Sequence, residues 1–164
     1  MNHLDRFRMF PFAGPAIRRL NLAGFAVILV TNQSGVARGY FPESLVQQVN
    51  QRMQHQLATV GAHLDGIYYC PHASADDCQC RKPKLGMILQ AARDHHLDVA
   101  RSYVVGDRYS DVELAYRAGC ASVFVRTGYG LGEETWHSGR WPRQPHAIVE
   151  DLTQAVGWIL AHNQ

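Results

Sequence analysis

Six apolar residues in a row, FAVILV at 25–30, carry no polar alternation. Such a run predicts a strand buried on both faces of a parallel sheet. Ahead of it, Gly14 and Pro15 open a helix with Ala16, Ile17 and Leu20 on one face, and Gly24 closes it. Behind it, TNQSG leads into a loop reaching Pro42. Leu45, Val49, Met53 and Leu57 then recur every fourth residue, with Val46 and Val60 adjoining, and predict a long helix that ends at Gly61.

The alternation continues to the end of the chain. Residues 67–69 predict a short strand, and Met87, Ile88, Ala91 and Ala92 mark a helix. Residues 102–105 predict a strand, 111–118 a helix capped by Gly119, and 122–125 another strand. The polar, glycine-rich stretch 128–145 reads as a long loop, with Trp136 and Trp141 as packing lids. A strand at 147–149 and a helix at 152–160 follow. Strand and helix in alternation predict an α/β fold, a doubly wound parallel sheet in a single domain spanning residues 1–164. In such sheets ligands gather at the carboxyl ends of the strands.

Composition narrows the function classes. The 164 residues hold no long apolar run and no secretory leader, so no membrane association is expected. A net charge of +2 and no basic stripe argue against a nucleic-acid partner, including a zinc-binding nucleic-acid module. Three of the four cysteines crowd into one loop and Cys120 lies between a helix and a strand, which suits a reduced, cytoplasmic setting better than disulfides. Cys120 reads as a small buried apolar residue, and His95 and His96 as solvated positions. No apolar surface pattern is left over, so a monomer is expected.

The densest chemistry is CPHASADDCQCRKP. Cys70, His72, Cys78 and Cys80 make a complete tetrahedral zinc set with no open position, so the metal reads as a staple. Lys82 follows directly and reads as the working group. Thr31 and Asn32 end one buried strand, and Asp107 ends another. A hydroxyl with nearby N–H groups can hold phosphate oxygens, a lysine can supply a point charge, and an aspartate can hold magnesium. If Thr31, Lys82 and Asp107 converge, they are the parts of a phosphoryl-transfer site. Each alone also has a plainer reading: Thr-Asn as a turn, Gly-Asp as a helix cap, a lone lysine as solvated surface.

VTNQSGVARG, CPH-x5-CQCRKPKLGM and VVGDRYSD, in this order, resemble the haloacid dehalogenase (HAD) superfamily of phosphohydrolases. Within it they resemble the D-glycero-D-manno-heptose 1,7-bisphosphate phosphatase family, with the histidinol-phosphate phosphatases as near relatives sharing the zinc loop. The resemblance runs from about Phe10 to the last helix. It implies hydrolysis of the C7 phosphate of a heptose bisphosphate through an aspartyl-phosphate, on the way to nucleotide-activated heptose and lipopolysaccharide or another glycan. It implies that Thr31 and Lys82 bind the transferring phosphoryl group, with Asn32, Gln33 and Ser34 lining the substrate loop. Arg81 would recognise the sugar, and Asp107 would hold Mg2+ with Arg108 beside it. Asp111 would be a second acid of that motif or a helix-start residue. Cys70, His72, Cys78 and Cys80 would hold structural Zn2+.

One element of the family pattern is missing. The family begins with a central strand ending in Asp-x-Asp-Gly-Thr, which supplies the nucleophile and the general acid. The early Leu4-Asp5-Arg6-Phe7 is not that motif, because no apolar strand precedes it, Phe7 stands at the second acid position and no Gly-Thr follows. Loss of a central strand would leave buried backbone groups unpaired at about 1–3 kcal/mol each. A start codon set too late, or a truncated reading frame, is therefore the simplest expectation. The rival expectation is a protein that binds a phosphosugar without hydrolysing it.

Overall fold

The computed structural model describes residues 3–163. Packing divides the chain into two compact units, Met1–Arg81 and Lys82–Gln164.

The first unit holds α1 (Ala13–Leu22), β1 (Ile28–Asn32), α2 (Glu43–Ala58) and β2 (Gly66–Cys70). β1 and β2 pair in parallel, from Ile28 opposite Gly66 to Asn32 opposite Cys70. The crossover between them is α2, as parallel pairing requires. α2 buries Leu45, Val46, Val49 and Leu57 of the stripe expected from the sequence, while Met53 is half-buried and Val60, beyond its end, is exposed. Glu43 in its first turn accepts a 2.9 Å hydrogen bond from the Tyr69 hydroxyl, which ties the start of α2 to β2.

The second unit holds α3 (Gly86–His95), β3 (Tyr103–Gly106), α4 (Tyr109–Ala118), β4 (Ala121–Val125), α5 (Gly130–His137), β5 (Ala147–Val149) and α6 (Leu152–His162). Its three strands are parallel in the order β3-β4-β5. β4 is central and its last four residues are buried. Val112 of α4, Phe124 and Trp141 form a core cluster, with Tyr109 and Ile148 packed against it.

Parallel strands alternating with helices bear out the α/β reading. Two local expectations are corrected. β1 starts at Ile28 rather than at residue 25, and its residues are half-buried rather than buried on both faces. Val27 instead exchanges bonds with Asp65: its N–H donates to the carboxylate at 2.7 Å and its carbonyl accepts from the Asp65 N–H at 2.8 Å. This clasp sits ahead of the ladder, and β1 has β2 as its single sheet neighbour among the described residues.

The second correction concerns 128–145, which is not one loop, since it contains α5 and a 3-10 turn at Ser138–Arg140. Trp141 is a packing residue, stacked on Tyr109 at 5.5 Å and against Phe124 at 4.9 Å. Trp136 is not, being 76% exposed on α5. No helix among the described residues is long and apolar enough to cross a membrane.

Candidate functional site

In the first unit, the ladder between β1 and β2 does not stop at their last paired residues. The Gln33 N–H donates to the Cys70 carbonyl at 2.7 Å, and the Ala37 N–H to the Pro71 carbonyl at 3.1 Å. The loop after Thr31 is thereby latched to the segment that begins the cysteine cluster. Within that loop, Ser34 accepts from the Arg38 N–H and Gly35 from the Tyr40 N–H. The Gln33 amide donates to Thr31 Oγ1 at 3.2 Å, so the hydroxyl oxygen is already oriented by its neighbour. Thr31, Asn32, Gln33 and Ser34 thus lie along one continuous stretch at the carboxyl end of β1.

Cys70, His72, Cys78 and Cys80 come together as the sequence predicts, with their ligand atoms all within 4.8 Å of one another. Cys70 Sγ lies 3.5 Å from Cys78 Sγ, and Cys78 Sγ 3.5 Å from Cys80 Sγ. His72 Nδ1 lies 3.3 Å from Cys80 Sγ and 3.6 Å from Cys70 Sγ. A zinc tetrahedron with thiolate bonds of about 2.3 Å has edges of about 3.8 Å, so this donor set fits zinc.

Burial pushes the Cys70 thiol up to about 12, with Cys80 adding to the shift. At Cys78 burial works the same way, but hydrogen bonds from the Arg81 backbone and from Cys70 and Cys80 outweigh it and bring the thiol down to about 7. Arg81 also donates from Nη1 to the His72 carbonyl at 3.3 Å. The four cysteines are unbridged.

In the second unit, Lys82 Nζ lies 2.6 Å from Asp111 Oδ1. The other Asp111 oxygen accepts from the Arg108 N–H at 3.2 Å, at the start of α4. Asp111 therefore stands at the helix start, one of the two roles open to it in the sequence, and its other oxygen holds Lys82, a contact that the sequence does not predict. The fit needs a glycine at the end of β3. A Cβ on Gly106 would fall 2.4 Å from the Cβ of Asp111.

Asp107 is held differently. Its Oδ2 accepts from the main-chain N–H of Tyr129 at 2.8 Å. The chain reaches it through Gly128, which has φ +67 and whose added Cβ would meet Asp107 Oδ2 at 2.2 Å. Left-handed backbone and close approach together require glycine there. One carboxylate oxygen is engaged, and the other, Oδ1, carries no hydrogen bond from the described protein.

Arg108 lies over the Tyr129 ring at 3.7 Å and donates to Glu133 at 3.2 Å. Tyr129 and Glu133 carry no signal in the sequence, because they fall in the stretch 128–145 that its polarity and glycines predict as a loop. Arg126 anchors that stretch by bonding Glu134 at 2.6 and 2.8 Å and Glu150 at 2.5 Å. Cys120 is buried and donates to the Ala115 carbonyl, in keeping with a packing role. His95 ends α3 half-buried, and His96 follows it, exposed, with φ 52.

The chain is similar to several known proteins. A HAD-hydrolase-like family model matches residues 79–155. A D-glycero-D-manno-heptose-1,7-bisphosphate 7-phosphatase from Thermosynechococcus vestitus is 39% identical over 99% of this chain and 88% of its own. The D-glycero-beta-D-manno-heptose-1,7-bisphosphate 7-phosphatase of Escherichia coli is also 39% identical, over 95% of this chain and 84% of its own. Among solved structures, a D,D-heptose 1,7-bisphosphate phosphatase from B. bronchiseptica, complexed with magnesium and phosphate, superposes with a TM-score of 0.88 at 37% identity. That match covers 98% of this chain and 88% of the other.

Proposed function

This chain belongs to the D-glycero-D-manno-heptose-1,7-bisphosphate 7-phosphatase family of HAD-like hydrolases, and we propose that it removes the C7 phosphate of D-glycero-D-manno-heptose 1,7-bisphosphate. The observation that carries the reading is the pairing of Lys82 with Asp111 next to Asp107, whose Oδ1 is left open. An ammonium held by one carboxylate beside a second, half-engaged carboxylate suits a phosphoryl group and its cation.

On this reading Asp107 holds Mg2+, which would neutralise charge on the phosphoryl oxygens. Lys82 and the Thr31 hydroxyl bind the transferring group. Asn32, Gln33 and Ser34 line the sugar phosphate, and Arg81 recognises the sugar. Cys70, His72, Cys78 and Cys80 hold a structural Zn2+ that orders the loop they share with Arg81. We take residues 1–164 as one HAD-like phosphatase domain. It would act as a cytoplasmic monomer without nucleic-acid or membrane partners, in nucleotide-activated heptose synthesis.

The family's Asp-x-Asp-Gly-Thr is not among these 164 residues. Asp5 is no substitute: it sits in a 3-10 turn with its side chain 76% exposed, 3.6 Å from Arg52. That observation favours a second reading for these residues by themselves, namely binding of the phosphosugar without turnover.

Phosphate release from heptose 1,7-bisphosphate with Mg2+, followed beside calorimetric binding of the same sugar, separates the two. Release that disappears in Lys82→Ala supports the enzyme, and turnover unchanged in Lys82→Ala overturns it. Binding without release assigns the second reading. Faster release from histidinol phosphate would move the chain to that neighbouring specificity.

A further inference from the structure

Residues 128–133 grip two charged groups at once. The main-chain N–H of Tyr129 engages Asp107 Oδ2, while its ring lies under the Arg108 guanidinium and Glu133 takes Arg108 Nη1. A guanidinium is a planar fork with five N–H donors. The ring covers one face of it and Glu133 occupies one end, so the guanidinium is biased toward one orientation. Nε and Nη2 have no protein partner among the described residues, and this is the edge that matches two oxygens of a phosphate.

We infer that Tyr129 is a positioning residue that presents the free edge of Arg108 to a phosphate group of the substrate. The inference rests on the phosphatase reading, in which Asp107 holds the cation and Arg108 stands beside it. The structure separates the two contacts made by Tyr129. The N–H that steadies Asp107 belongs to the backbone and survives a change of side chain, whereas the ring serves Arg108 alone. An exposed Arg–Glu pair by itself fixes little. The stacked ring is what makes the orientation durable, and its loss would be felt by the anion and not by the metal.

Calorimetric titration of the whole chain with MgCl2, and then with inorganic phosphate at saturating Mg2+, tests this. Tyr129→Leu, which keeps bulk but has no π face, should weaken phosphate binding about 2- to 5-fold. Mg2+ affinity should not change, and Tyr129→Phe should restore the phosphate affinity. In an Arg108→Ala background, Tyr129→Leu should add no further loss, because the ring then has no cation to hold. Equal loss of Mg2+ and phosphate binding in Tyr129→Leu, failure of Tyr129→Phe to restore, or a full loss persisting beside Arg108→Ala would each overturn the inference. A wild-type chain that binds neither Mg2+ nor phosphate would instead overturn the phosphatase reading and this inference with it.

Discussion

Lys82 and Asp111 meet at 2.6 Å, with side chains 15% and 6% exposed, so each charge is withdrawn from water and faces the other. Removing one member of such a buried pair costs about 3 kcal/mol or more. Asp111→Ala should therefore lower the stability of the second unit by about that amount in chemical denaturation. It should also weaken phosphate binding, since Lys82 loses the group that aims it. Asp111→Asn keeps the helix cap, so its loss of stability should be smaller than that of Asp111→Ala.

Gly128 stands against the Asp107 carboxylate at a positive φ. Gly128→Ala adds a Cβ where Oδ2 now lies and strains the backbone that delivers the Tyr129 N–H. Misdirecting a metal ligand through its supporting contacts commonly costs 10-fold or more in affinity. Mg2+ affinity should fall about 10-fold in calorimetry, with zinc content unchanged.

The cysteine and histidine cluster should hold about one zinc ion per chain by elemental analysis. Cys78→Ser should lower both the metal content and the melting temperature, because binding energy at a structural site is folding energy. A strong chelator should produce the same drop in the wild-type chain and no further drop in the metal-free variant. A chain equally stable with and without metal would contradict the assignment.

Arg126 bonds Glu134 from two nitrogens, and those bonds hold the Glu134 carboxyl below its ordinary value of 4.5. A carboxyl with a lowered folded pKa stabilises the fold above its unfolded pKa, and that contribution disappears as pH falls through the folded value. Acid titration of stability should therefore show a Glu134-dependent loss below about pH 4.5. In Glu134→Gln that part of the slope should be absent, while stability at neutral pH falls.

The candidate residues of each unit are visible in the sequence because they sit where apolar runs end, Thr31 in the first unit and Asp107 in the second. Cys70, His72, Cys78 and Cys80 are close in sequence, so spacing alone suggests them as a cluster. The contacts that give these residues direction are less visible. Asp111 reads equally as a cap or as a second acid of its motif, and its two oxygens in space show the cap and an ion pair with Lys82 that spacing could not reveal.

The stretch holding Tyr129 and Glu133 was opaque for a different reason. Three glycines between 128 and 132 argue against a helix by propensity. Two of them are there for close approach: a Cβ on Gly130 would fall 1.8 Å from the Val125 carbonyl oxygen. The Arg126–Glu134 bonds then pin the helix that propensity alone would not support. β1 erred in the other direction, since apolar residues at 25–27 suggest a strand while Asp65 holds Val27 in a clasp outside the ladder.

The bond from the Gln33 main-chain N–H to the carbonyl of Cys70 joins the loop after Thr31 to the cysteine and histidine cluster through a single hydrogen bond. On the proposal that this cluster holds zinc, deuterium uptake at Gln33 and Ala37 should serve as a remote gauge of its occupancy. In a chain stripped of metal these two amides should lose their protection before those inside β1, and the loop would become mobile while the strand behind it stayed shut.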